Sequence, residues 1–135
     1  MRASRIMKAH FILFAAAQDE STRFYTSVLG EAPILNVPGM TEFRLSESAV
    51  LGLMPASGIV RLLGEAIVHP SLVQGVPRSE LYLVVDDPSA FHARAMAAGA
   101  RELSPLKLRD WGHMVAYSLD PDGHLLAFAS FVARD

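Results

Sequence analysis

Two stretches of this 135-residue chain share one pattern and together decide the fold. In the second half, ELYLVV (80–85) precedes DPSAFHARAMAAG (87–99), and in the first half HFILFA (10–15) precedes DESTRFYTSVLG (19–30). Each pair joins a short apolar run to an amphipathic segment that starts at Asp19 or Asp87, expected as the N-cap, and ends at glycine. This pattern predicts a strand followed by a helix. The chain therefore contains one predicted unit twice, and a duplicated unit of this kind usually encloses a cleft.

Each predicted helix is followed by three runs with strand character, separated by turn residues. The six runs are 34–37, 41–45, 50–54, 102–106, 114–119 and 125–131. The last two are joined by Asp120-Pro121-Asp122-Gly123, a sequence typical of a tight turn. We therefore expect an α+β fold built from two βαβββ modules.

The modules give the predicted domain organisation. We expect a single domain, 1–135, with a first module at 7–54, a connecting segment at 55–78 and a second module at 79–132. The connecting segment contains three Gly and three Pro residues but lacks a charge-rich composition. It is therefore expected to pack on the domain with a short helix, and not to be disordered.

Composition excludes several classes of protein. The net charge of −2, with both signs mixed, gives no electrostatic case for nucleic-acid binding. No window approaches the roughly 20 apolar residues of a membrane span, and the first residues lack the apolar segment of a secretory signal. The chain has no cysteine, so disulfides and thiolate metal sites are excluded. A cytoplasmic protein is the simplest expectation.

Three sequence motifs resemble those of the vicinal oxygen chelate superfamily, which includes glyoxalase I, bleomycin-resistance proteins and extradiol dioxygenases. They are Phe24-Tyr25 before Val28-Leu29-Gly30, Trp111-Gly112 before a strand, and Asp120-Pro121-Asp122-Gly123-His124 before the final strand. The resemblance covers almost the whole chain. It implies paired βαβββ modules that form a curved, partly open barrel, usually in a homodimer, but it does not imply one reaction.

The resemblance also implies where a metal ion would bind. Enzymes of the superfamily typically hold one divalent metal with side chains from four strands, and His10 and Glu80 stand at two of the matching positions. The other two positions hold Gly52 and Ala127, which cannot coordinate. Because a divalent ion normally needs at least three protein ligands, we expect no metal cofactor; a divalent metal, if bound, would use His10 and Glu80. The metal-dependent reaction of glyoxalase I is then not expected.

Alternation along the two first strands predicts which side chains face the cleft. His10 and Glu80 fall on the face away from the helices, where they are expected to be neighbours, either as a structural pair or as a proton-transfer dyad. Trp111 is interpreted either as a rim anchor or as a stacking wall for a flat ligand, with Arg109 available to meet an anion. The predicted cleft residues are His10, Glu80, Tyr82, Arg109, Trp111 and Tyr117. No residue is assigned a catalytic role.

The remaining polar residues are interpreted as structural or as lying outside the cleft. His92 lies in the second predicted helix, and three polar residues lie in the final turn, namely Asp120, Asp122 and His124. His69, His113 and His124 are not expected on strand positions that face the cleft.

Two functions of different classes stay open. The first is a binding module that holds a small, partly hydrophobic molecule in the cleft without a complete metal site. The second is a divalent-metal-dependent lyase, isomerase or dioxygenase that retains His10 and Glu80 as ligands. Whether the protein is an enzyme is therefore left undecided.

Overall fold

The computed structural model describes residues 5–73 and 76–132, in two compact units. The first unit comprises 5–22 and 31–72, and the second comprises 23–30, 73 and 76–132. Residues 1–4, 74, 75 and 133–135 of the predicted single domain, two of them in the connecting segment, lie outside the described residues. The assignment of one domain with modules at 7–54 and 79–132 stays a prediction.

The observed elements follow the predicted βαβββ order in both halves. The strands are β1 (Ala9–Ala15), β2 (Leu35–Val37), β3 (Met40–Ser46), β4 (Ala49–Pro55), β5 (Glu80–Val84), β6 (Arg101–Leu108), β7 (His113–Leu119) and β8 (Leu125–Phe131). The helices are α1 (Gln18–Leu29), α2 (Ala56–Leu63) and α3 (Pro88–Ala97). The predicted α+β class is confirmed, and α2 is the short helix expected in the connecting segment.

The first unit contains a four-stranded sheet in the order β1-β4-β3-β2. Strand β1 runs parallel to β4, and the other pairs are antiparallel. Alternate residues bury Phe43, Leu51 and Leu53 almost completely, and these form the core face. Thr41 belongs to the same face, and its hydroxyl lies 2.8 Å from that of Thr22 in α1. The helix therefore begins against the core face and leaves the opposite face of the sheet to the site residues.

The start of α1 differs from the sequence prediction. Asp19 was expected as the N-cap, but the helix begins at Gln18 and Asp19 lies in its first turn. The Gln18 side chain explains the difference, because its Nε2 donates to the Val37 carbonyl at 2.8 Å and its Oε1 accepts from the Gly39 N–H at 2.9 Å. These contacts fix the first helical residue on the β2–β3 turn. At the other end, Gly30 has φ +72° and ends the helix as predicted.

The second unit contains a four-stranded sheet in the order β5-β8-β7-β6, with β5 parallel to β8. Helix α3 starts as predicted, since the Asp87 carboxylate accepts from the Ala90 N–H at 3.1 Å and Pro88 occupies the first turn. The helix packs on the sheet through Phe91, whose ring centroid lies 5.6 Å from that of Phe128. The face that carries Phe128 is therefore the core face of this unit.

The turn before β8 is built around a buried carboxylate. Asp120 Oδ1 accepts backbone N–H groups of Asp122 and His124 at 2.9 and 2.8 Å. Its Oδ2 accepts the hydroxyl of Tyr25 at 2.6 Å. The structural interpretation of Asp120 is confirmed, because the side chain closes the turn and ties it to α1.

The connecting segment also has regular structure beyond α2. Two single-turn helices, Gly64–Ala66 and Pro70–Leu72, follow it. None of the helices within 5–73 and 76–132 has the length and apolar character needed to cross a membrane.

Candidate functional site

The face of the second sheet opposite α3 carries two tyrosines over a floor of small residues. In the strand register Tyr82 pairs with Ala127, and Ala127 pairs with Tyr117. Because directly paired residues point to the same face, both rings flank Ala127. The floor of Val115, Ala127 and Ala129 is fully buried, with Tyr82 and Tyr117 packed against it.

Tyr82 is the centre of a hydrogen-bonded group that we call the Tyr82 cluster, comprising Tyr82, Trp111 and His113. The Trp111 indole Nε1–H donates to the Tyr82 hydroxyl oxygen at 3.0 Å. The same hydroxyl lies 2.6 Å from Nδ1 of His113. The His113 ring meets the Phe131 ring edge-on, with centroids 4.7 Å apart. The sheet thus holds an indole, a phenol and an imidazole in a fixed arrangement.

A shallow depression lies beside this cluster. It has a volume of about 390 Å³ and is lined by Leu108, Trp111, Gly112, His113, Phe131 and Val132. Trp111 is 52% exposed and Phe131 is 70% exposed. Large aromatic side chains normally bury most of their surface, so two exposed rings around one depression offer apolar surface to a ligand.

The Arg109 side chain is held by hydrogen bonds to residues of β6 and β7. Its Nη2 donates to the Val115 carbonyl at 2.8 Å and to the Ser104 hydroxyl at 2.9 Å, and its Nε also donates to Val115. The guanidinium carbon lies 5.0 Å from the centroid of the Tyr117 ring. Arg109 therefore covers Tyr117 and closes the β6–β7 loop. Among the residues that the structure describes, Nη1 is the guanidinium nitrogen without a hydrogen-bond partner.

The hydroxyl of Tyr117 stays protonated at neutral pH. Burial raises its pKa above the usual 10.0, and the nearby Glu80 and Tyr82 raise it further, while Arg109 opposes them. Tyr117 can therefore donate or accept a hydrogen bond on this face without carrying charge. Glu80 itself is exposed at the beginning of β5.

In the first unit, His10 has a partner that the sequence reasoning missed. Its Nδ1 lies 3.3 Å from Oε2 of Glu42, and the two side chains are 39% and 21% exposed. Glu42 pairs with Gly52 and His10 with Val50 in the strand register, which brings both side chains to one face. The alternation within 41–45 was the signal available, because it places Glu42 opposite the buried Thr41 and Phe43.

The two positions without coordinating side chains, Gly52 and Ala127, are surrounded by apolar atoms. A Cβ atom at Gly52 would lie 3.1 Å from Ile12 Cγ1 and 3.2 Å from Met40 Sδ. Ala127 is fully buried in the floor of the second sheet. Across 5–73 and 76–132, no group of three or more His, Asp or Glu residues is arranged to hold a metal ion. At two of the four expected positions, Gly52 and Ala127, the side chains therefore offer no donor atom to a metal ion.

The structure brings some predicted site residues together and leaves others apart. Tyr82 contacts Trp111, and Arg109 covers Tyr117, while His10 contacts Glu42. His10 and Glu80 belong to different units, so their expected contact stays a prediction.

His113 corrects one sequence prediction. It was not expected on a strand position facing the cleft, but β7 begins at His113, which pairs with Phe131 and contacts Tyr82. The strand begins one residue earlier than predicted because Gly112, at φ +89°, closes a turn in which the Arg109 N–H donates to the His113 carbonyl at 2.8 Å.

Comparisons with known proteins agree with this architecture. A family model of the Glyoxalase/Bleomycin resistance protein/Dioxygenase superfamily matches residues 8–128. No curated protein matches the chain.

Solved structures show the same fold. A glyoxalase-related enzyme from Fulvimarina pelagi is 25% identical, with 90% of this chain and 86% of that chain covered and a TM-score of 0.77. A glyoxalase/bleomycin resistance protein/dioxygenase from Nocardioides is 19% identical, with 99% and 89% covered and a TM-score of 0.74. A family enzyme from Burkholderia phytofirmans PsJN is 18% identical, with 91% and 97% covered and a TM-score of 0.76. The chain belongs to the glyoxalase/bleomycin resistance protein/dioxygenase superfamily.

Proposed function

We propose that this superfamily member binds a small, partly hydrophobic molecule without a complete divalent metal site. The observation that carries the proposal is the Tyr82 cluster beside the exposed rings of Trp111 and Phe131. Exposed apolar walls with a few fixed polar groups are the usual composition of a small-molecule site. The binding face includes Glu80, Tyr82, Arg109, Trp111 and Tyr117, and the contribution of His10 stays a prediction.

The walls can supply most of the binding energy. Covering about 100 Å² of apolar surface contributes roughly 2.5 kcal/mol, before the cost of ordering the ligand is subtracted. The Tyr82 hydroxyl and the His113 imidazole then orient the molecule, since each is already held by a neighbour and loses little freedom on binding.

The second candidate is a metal-dependent lyase, isomerase or dioxygenase that uses His10 and Glu80. One observation favours it: Glu42 places a carboxylate 3.3 Å from His10, so that a His and a Glu stand together on the first sheet. The similar protein from Fulvimarina pelagi is described as a glyoxalase-related enzyme. The apolar packing at Gly52 and the burial of Ala127 favour the metal-free function.

Two further expectations belong to this proposal. The resemblance to the superfamily implies a homodimer, and the composition favours a cytoplasmic location without nucleic-acid partners.

A dye titration tests the binding function. Anilinonaphthalene sulfonate, an aromatic anion, is titrated into the metal-free full chain while dye emission and quenching of Trp111, the only tryptophan, are followed. We expect saturable binding that Trp111→Ala weakens by about tenfold, because it removes one wall of the depression.

The matched control is Leu62→Ala, which removes an exposed apolar side chain of α2 in the first unit and should leave dye affinity unchanged. Absence of saturable binding, or an affinity that Trp111→Ala does not alter, would reject the proposed site.

A further inference from the structure

The hydrogen bonds of the Tyr82 cluster favour one position for the ring proton of neutral His113. An indole N–H can only donate, so the hydroxyl oxygen of Tyr82 accepts from Trp111. The phenol proton has Nδ1 of His113, at 2.6 Å, as its nearest acceptor. In the opposite arrangement the oxygen would accept from both neighbours, and the proton would have no partner within 5–73 and 76–132. A neutral imidazole that accepts at Nδ1 carries its proton on Nε2. The cluster therefore favours the Nε2–H tautomer of neutral His113, which gives the indole and phenol hydrogens of the cluster an acceptor each.

The Nε2–H group is the polar atom that His113 can offer to a ligand. Within 5–73 and 76–132, Nε2 has no hydrogen-bond partner, and His113 lines the depression. Because Tyr82 occupies Nδ1, Nε2 is the one ring nitrogen left for a molecule bound there. The edge-on contact with Phe131 at 4.7 Å fixes the plane of the imidazole. The donor is thus oriented before any ligand arrives.

The rest of the lining is apolar. Its other large side chains are exposed and uncharged, namely Leu108, Trp111, Phe131 and Val132. A ligand that places a hydrogen-bond donor against Nε2–H leaves two donors facing each other, whereas an acceptor pairs with it. The described residues of the lining include no lysine or arginine, so nothing among them calls for a charge on that acceptor.

We propose that the depression selects planar, largely apolar molecules that carry a hydrogen-bond acceptor such as a ring nitrogen or a carbonyl oxygen, and that His113 Nε2–H is the selecting group. This inference rests on the proposed binding function and deepens it by naming the ligand class. The volume of the depression, about 390 Å³, lies at the small end of the range for ligand pockets, which suits a ligand of one or two fused rings.

Quinoline and naphthalene provide the test, because they share one shape and differ by a ring nitrogen in place of a C–H group. The isotope-labelled full chain is titrated with each at about pH 8, where quinoline is neutral, and the single Trp111 indole resonance reports binding. We expect quinoline to bind about fivefold more tightly than naphthalene to the wild type. In His113→Phe the ratio of quinoline affinity to naphthalene affinity should fall to about one, because quinoline affinity falls while naphthalene affinity stays the same. In the control His69→Phe, on a segment of the first unit, the fivefold ratio should remain.

The outcomes separate this inference from the binding function. Equal affinities of the wild type for both probes would overturn the role of His113 while leaving the binding function intact. Failure of both probes to bind would overturn both. A Trp111 resonance that moves with protein concentration, together with probe binding that is lost at high protein concentration, would show that a second copy covers the depression and would overturn the inference.

A ligand-free measurement keeps the inference testable if His113→Phe does not fold. Long-range nitrogen–proton correlation spectra of the wild type report the tautomer of each histidine. We expect the Nε2–H form for neutral His113, and an Nδ1–H form would refute the assignment.

Discussion

Asp120 shows how one residue can hold a turn and a helix together. The carboxylate is buried, and it accepts two backbone N–H groups as well as the Tyr25 hydroxyl. Tyr25 is buried as well, so water cannot take the place of either side chain as the hydrogen-bond partner of the other. Burial and the neighbouring Asp120 charge raise the pKa of Tyr25 well above its usual 10.0.

The variant Tyr25→Phe should lower the free energy of unfolding by about 1–3 kcal/mol near neutral pH, because it removes a donor from a buried carboxylate. Above about pH 10 the unfolded chain loses the Tyr25 proton while the folded chain retains it, so wild-type stability falls as pH rises, by about 1.4 kcal/mol per pH unit. The variant lacks this contribution. Urea unfolding at about pH 8 and about pH 11 should therefore show that the difference between the two proteins narrows.

The control for this prediction is Tyr117→Phe. Tyr117 also has a raised pKa but is only partly buried, so its loss should leave most of the alkaline decline in place. Equal pH dependence in wild type and Tyr25→Phe would contradict the account.

Single residues were the least predictable part of the site. Trp111, Tyr82, Arg109 and Tyr117 could be selected from residue type and strand alternation. Their partners could not be identified in the same way, because the contact between Tyr82 and His113 joins residues 31 positions apart. The role of Arg109 as a cover for Tyr117 likewise depends on the course of the β6–β7 loop.

Among the elements, strands were predicted more accurately than the start of α1. The run at 125–131 coincides with β8, and the run at 50–54 lies within β4, because alternating and apolar patterns act over the strand itself. The beginning of α1 depends on Gln18 contacts with residues 19 to 23 positions away. The prediction of Asp19 as the N-cap, which rested on local capping preferences, was therefore wrong.

A pair of substitutions tests the start of α1. Gln18→Ala should lower the free energy of unfolding by about 1–2 kcal/mol, because it removes the hydrogen bonds to Val37, Thr41 and Gly39. Asp19→Ala should cost only about 0.5 kcal/mol, since it removes a favourable charge in the first turn but no cap. Thermal and urea unfolding provide the measurement. A larger effect at Asp19 than at Gln18 would show that Asp19 caps the helix after all.

For the whole molecule, the duplication was sufficient to predict the α+β class and the βαβββ order of both halves. A repeated pattern is strong evidence because two independent stretches predict one unit. The arrangement of functional groups did not follow from the repeat. Each first strand retains a residue able to coordinate a metal, His10 or Glu80, whereas Gly52 and Ala127 are enclosed by apolar neighbours. That packing is the physical reason for proposing binding without a complete metal site.

The most direct test of this central proposal is elemental analysis of the full chain purified without chelator, followed by titration with Ni²⁺, Zn²⁺, Mn²⁺ or Fe²⁺. The wild type, His10→Ala and the control His69→Ala are compared, and dye affinity is measured before and after metal addition. The account predicts substoichiometric metal in all three proteins and a dye affinity that added metal does not change. Stoichiometric metal in the wild type and His69→Ala that is lost in His10→Ala would contradict it.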